Sequence, residues 1–117
     1  MKTIITVVAL GLLSSVAAAG VAAAATPAEI AAGEKLATTT DQGNCDACHM
    51  FKGADEAGNI GPELKDVKSM VPNRKEFYAI IYDEEARNPQ TIMPAFGKNQ
   101  VLTPKQINEV IDFMYTK

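Results

Sequence analysis

Apolar residues recur at helical spacing in three separate stretches of this chain, and no stretch alternates as a half-buried strand would. The clearest is the last. Ile107, Val110, Ile111 and Met114 fall on one face, with Phe113 and Tyr115 flanking it. Thr103 supplies a hydroxyl N-cap, Pro104 suits the first helical position, and Gln106 can close a capping box. Thr26-Pro27-Ala28-Glu29 repeats that design and predicts a helix to about Thr38, ending before Asp41-Gln42-Gly43-Asn44. Ile30, Gly33 and Ala37 share its face. A mid-helix glycine costs about 1 kcal/mol relative to alanine, so Gly33 predicts a close approach by another helix, met through Phe113 or Tyr115. The plainer alternative is a tolerated surface glycine. A middle helix opens at Asn73, an N-cap with Glu76 at N3. It turns Phe77, Ile80 and Ile81 inward, sets Tyr78 and Tyr82 on a neighbouring strip, and fades between Asp83 and Arg87, ahead of Asn88-Pro89.

Between the first two helices, Met50 to Pro72 is broken by Gly53, Gly58, Gly61 and Pro62, which predicts a loop with at most one short helical turn. A loop of that length is unusual in a small domain unless it has a function. The expected fold is therefore all-α, with three main helices and long loops.

The first residues follow a different pattern. Met1-Lys2-Thr3 is a minimal positive start, Ile4 to Leu13 an apolar core, and Ala23-Ala24-Ala25 a small-residue cleavage site. Residues 1–25 are expected to be a cleaved signal peptide and 26–117 the mature domain. The alternative is an uncleaved anchor over Ile4–Ala25, but Ser14 and Ser15 interrupt the run and its second half is mostly weakly apolar alanine. No cysteine stands near the site to carry a lipid.

Composition narrows the function classes. The chain has 117 residues, room for one domain, and a net charge of −3. It has no basic patch to track phosphates, so nucleic acid is not an expected partner. Once the signal is cleaved, no membrane association is expected. A domain this small is near the lower limit for a self-sufficient core and gains from a staple or cofactor. Export leads to an oxidising compartment, where bare thiols tend to pair.

Both cysteines and the one histidine stand together in Cys45-Asp46-Ala47-Cys48-His49. A structural disulfide would use the thiols and leave His49 idle. A zinc site normally takes four nitrogen or sulfur ligands, and these residues offer three. Covalent haem uses all three, with thioethers from Cys45 and Cys48 and His49 on the iron. A ligating imidazole needs a partner for its second nitrogen, commonly a backbone carbonyl. Gly61-Pro62-Glu63-Leu64 is where one is expected, against the alternative of an ordinary Gly-Pro turn. A second axial ligand must come from elsewhere, since there is one histidine. Met93, in the Pro- and Gly-bounded loop Thr91-Ile92-Met93-Pro94-Ala95-Phe96-Gly97, is favoured over Met70, the remaining rival. Arg74 and Arg87 are candidates for contact with haem propionates or a partner, as are Tyr78 and Tyr82 for propionates. The plainer outcomes are solvated charges and partly buried core aromatics.

A helix with a small-residue contact, CxxCH, Gly-Pro-x-Leu, a methionine loop and a closing helix together resemble class I cytochrome c. The resemblance implies one haem c, attached at Cys45 and Cys48, with His49 and Met93 as axial ligands. It also implies that the Pro62 carbonyl receives the His49 ring N–H and that Leu64 packs on the haem. Gly58-Asn59-Ile60-Gly61-Pro62, Ile81-Tyr82-Asp83, Ala86-Arg87-Asn88-Pro89, Thr91 to Gly97 and Leu102-Thr103 further resemble the SoxX family. SoxX is the small cytochrome subunit of the SoxAX complex of bacterial thiosulfate oxidation. Ala95 stands where that family often has a second proline, which leaves the ligand in place. This resemblance implies a periplasmic electron-transfer subunit paired with a larger SoxA-type cytochrome and feeding a downstream acceptor cytochrome. The L-cysteine S-thiosulfotransferase chemistry would sit on the partner. The competing expectation is a free-standing periplasmic carrier.

Overall fold

A computed structural model describes residues 23–56 and 58–117. The expected signal peptide therefore falls almost wholly outside the described residues. Helices α1 (Pro27–Thr38), α2 (Val67–Met70), α3 (Arg74–Asp83) and α4 (Pro104–Met114) follow in order. Short 3-10 turns occupy Cys45–Ala47 and Glu84–Ala86. Among the described residues there is no strand. The three expected helices are present, and α2 is the single short turn allowed in the long loop.

Helices α1 and α4 form the closest helix pair. Both begin with the expected capping box, Thr26 with Glu29 and Thr103 with Gln106. They cross at Gly33. A Cβ there would lie 2.6 Å from the Glu109 carbonyl carbon and 2.9 Å from Phe113 Cβ, so the absence of a side chain is what lets the backbones meet. Leu36 and Ala37 are buried beside it. Periodicity does not single out Leu36 for that face, because an α1 rich in alanine carries little periodic contrast.

Tyr115 does not meet Gly33. It packs on Phe77, with ring centroids 5.4 Å apart, and its hydroxyl donates to the Val71 carbonyl at 2.8 Å. A partly buried phenol needs a partner for its hydroxyl, and the Val71 carbonyl at the end of α2 supplies it. Phe113 instead lies against Gly33 and edge-on to Phe51 at 5.9 Å.

Helix α3 is capped by the Asn73 side chain, which accepts from the Lys75 and Glu76 N–H groups. Glu76 does not complete a capping box; its carboxylate accepts from Arg87 at 3.1 Å. Phe77 and Ile81 are buried as expected, and Ile80 is half-buried. Arg74 binds Asn108 and Asp112, tying α3 to α4. The core is dominated by α4, where Ile107, Ile111, Phe113 and Met114 are buried. Burying each such side chain contributes roughly 1.5–3 kcal/mol, so α4 is the element against which the others are set.

Candidate haem-binding site

The CxxCH segment is one tight turn. Asn44 enters it in the left-handed region, φ 46°. The Cys48 and His49 N–H groups then both donate to the Cys45 carbonyl, at 3.2 and 2.8 Å. The long loop is laid onto this turn by its backbone: Gly58 N–H to the Asp46 carbonyl at 3.2 Å, Gly61 to Cys48 at 2.8 Å, Leu64 to Met50 at 2.8 Å. Cys45 and Cys48 are free thiols, not joined to each other. Burial, and secondarily the charge of Asp46, push the Cys45 thiol up to about 12. Neutral thiol is therefore its form at physiological pH.

His49 Nδ1 lies 2.7 Å from the Pro62 carbonyl oxygen. A carbonyl can only accept, so this bond requires the proton on Nδ1 and leaves the lone pair on Nε2. That is the tautomer a metal ligand needs. Gly61 lies against the same ring: a Cβ would fall 2.7 Å from Nδ1 and 2.9 Å from Nε2. Gly61-Pro62 thus packs on and orients the imidazole, which goes beyond an ordinary turn.

These residues line one cavity of about 830 Å³. That lies within the range of about 300–1,000 Å³ usual for cofactor sites. Cys45, Cys48, His49, Pro62 and Leu64 contribute to its wall, as do Phe77, Ile81, Val110 and Met114 from the helices. Met93, Pro94 and Phe96 bring in the methionine loop. Met93 is half-buried, packs on the core, and its N–H donates to the Thr91 hydroxyl at 3.1 Å. Met70 also lines the cavity but is 46% exposed. Two thiols, an imidazole with a free ring nitrogen and a thioether on one largely apolar cavity suit a covalently attached haem. Nothing in the geometry conflicts with that group.

Other candidates are distributed differently. Tyr78 and Tyr82 stack on each other, centroids 6.0 Å apart, and line a shallow groove apart from the large cavity. Arg74 is likewise engaged on α4. Arg87 does line the cavity, beside buried Glu84, to which its guanidinium donates at 3.1–3.3 Å. Glu84 shares the helical spacing of Phe77, Ile80 and Ile81, but an acid in an acidic run normally marks solvent, and its burial was not foreseen. The contact of Gly97 with the Tyr82 ring was equally invisible, because it joins a loop to a helix by tertiary folding.

Two comparisons with known proteins bear on this site. Residues 28–114 match the family described as cytochrome c oxidase, cbb3-type, subunit III. An uncharacterized lipoprotein of Aquifex aeolicus is 33% identical over 75 residues, which cover 63% of this chain and 36% of that protein. The chain thus spans about a third of the length of that relative. The family match reaches c-type cytochromes broadly and does not single out SoxX. Spanning α1 through α4 and the whole CxxCH cavity, it shows that the chain belongs to the c-type cytochromes, all-helical electron-transfer domains that carry covalently bound haem c.

Proposed function

We propose that this chain is a single-haem electron carrier whose iron is held between His49 and Met93. The observation that carries this is the Nδ1–H bond of His49 to Pro62, which leaves Nε2 available in the cavity that Met93 also lines. Bound there, haem c supplies reversible one-electron exchange. The chain does the rest. Cys45 and Cys48 fix the group covalently, Pro62 fixes the imidazole tautomer, and Leu64 and the α4 face exclude water. A soft thioether as second ligand raises the reduction potential relative to a second imidazole. With His49 and Met93 both given to the iron, no position would be left for a substrate, and the chain would relay electrons.

The finer assignment is a SoxX-type subunit. It accepts electrons from a larger SoxA-type cytochrome as thiosulfate is joined to a carrier-protein cysteine, and passes them to an acceptor cytochrome. Its support is the Arg87-Asn88-Pro89 to Met93-Pro94-Ala95-Phe96-Gly97 segment. That segment is more specific than a generic carrier requires. A mature domain of residues 26–117, exported to the periplasm, fits the signal-like start.

Replacing Met93 with alanine is expected to abolish the weak sulfur-to-iron band at the red end of the oxidised spectrum, while Met70→Ala keeps it. Survival of the band in Met93→Ala would rule out the ligand assignment.

A further inference from the structure

The methionine loop is braced by its own backbone hydrogen bonds. Phe96 N–H donates to the Pro94 carbonyl at 3.0 Å and Asn99 N–H to Ala95 at 2.9 Å, and the Phe96 carbonyl accepts from Val101 and Leu102. Ala95 and Phe96 are buried. A segment braced in this way moves as a unit, so where Met93 sits depends on how that unit is attached to the helices.

The attachment is at the last turn of α3. The Tyr82 carbonyl accepts from both Gly97 and Lys98 N–H, at 3.2 and 3.1 Å. The face of the Tyr82 ring covers Gly97 so closely that a Cβ there would fall 2.7 Å from Cε2 and 2.8 Å from Cγ. Lys98 adds an ion pair to Asp83 at 3.0 Å. Lys98 is 54% exposed, and an exposed pair contributes little, so the ring contact and the two backbone bonds hold the joint.

From this we infer that Tyr82 and Gly97 are positioning residues for Met93. The bare glycine face lets the loop lie flat on the Tyr82 ring, and that seating keeps the thioether at the cavity. The inference rests on Met93 as axial ligand and adds how the protein holds it there. Tyr82 is not among the residues that line the large cavity, so it acts on Met93 through the loop.

The test uses haem-loaded protein and reads three signals: the sulfur-to-iron band, the c-type haemochrome in alkaline pyridine, and helix content by circular dichroism. Gly97→Ala is expected to lose most of the band with haemochrome and helix content unchanged. Tyr82→Phe, which keeps ring and carbonyl, is expected to match the parent. Tyr82→Ala removes the ring on which the loop is seated, and is expected to weaken the band with haemochrome and helix content unchanged. An undiminished band in Gly97→Ala overturns the inference. So does an undiminished band in Tyr82→Ala. Met93→Ala is measured in parallel. A band that survives there defeats the ligand assignment itself, a failure distinct from that of the joint.

Discussion

At Gly61 the backbone lies against the His49 ring, and at Pro62 the same segment turns its carbonyl to Nδ1. The two neighbours therefore do different work. Gly61 gives the space, and Pro62 contributes an acceptor that belongs to the backbone and not to its side chain. Gly61→Ala is expected to push the ring off its carbonyl and lower the unfolding free energy by roughly 1–3 kcal/mol, the usual cost of overpacking. Pro62→Ala keeps the acceptor and should cost less. Denaturant unfolding of both haem-loaded variants, with added imidazole as a probe of iron access, checks this. The expected result is imidazole binding to Gly61→Ala before the parent. The histidine, both cysteines and the Gly-Pro acceptor were legible because their chemistry is local and their spacing specific. The contact of Gly61 with the ring was not, since it depends on where the loop is laid.

At the scale of elements, the α1–α4 crossing carries the domain. Gly33 against Glu109 and Phe113 leaves no room for a methyl group, so Gly33→Ala should lose roughly 1–3 kcal/mol of stability. This outweighs the gain of about 1 kcal/mol in helix propensity. A midpoint in thermal or denaturant unfolding above the parent's would show that the helices can separate without cost. The capping box of α1 gives a pH dependence. The Thr26 N–H and hydroxyl both donate to the Glu29 carboxylate at 2.8 Å. The backbone bond first and the hydroxyl second hold that group below the usual carboxylate range. A depressed folded value stabilises above the unfolded carboxylate value and is lost as pH falls through the folded one. The stability gap between parent and Glu29→Ala should therefore be full at neutral pH and close in acid, as followed by unfolding at stepped pH. Both capped helices could be foreseen, since caps and apolar stripes are written in neighbouring residues. The place of Tyr115 could not, because the fate of its hydroxyl depended on a carbonyl at Val71, far away in the chain.

For the whole molecule, the proposed SoxX-type role makes a physical demand: electrons must arrive from a partner held close to the haem. The native protein is expected to copurify with a larger haem-bearing subunit, and only the pair should support thiosulfate transfer to a carrier cysteine. A chain recovered alone from cells, whose loss leaves thiosulfate oxidation unchanged, would select the free-standing carrier instead.

The sequence by itself determined the chemistry: which residues can attach a haem, which imidazole can ligate it, and where three helices begin. Those features are set by neighbours in the chain, through spacing, caps and turns. Tertiary structure decided what shares the cavity. It brought Met93, Glu84 and Arg87 to the same cavity as His49 and Cys45, seated Gly97 on Tyr82 and turned Tyr115 toward Val71. Each of these depends on the packing of α3 and its loops around α4, and a contact between segments so far apart in the chain is settled only when their apolar faces are buried together.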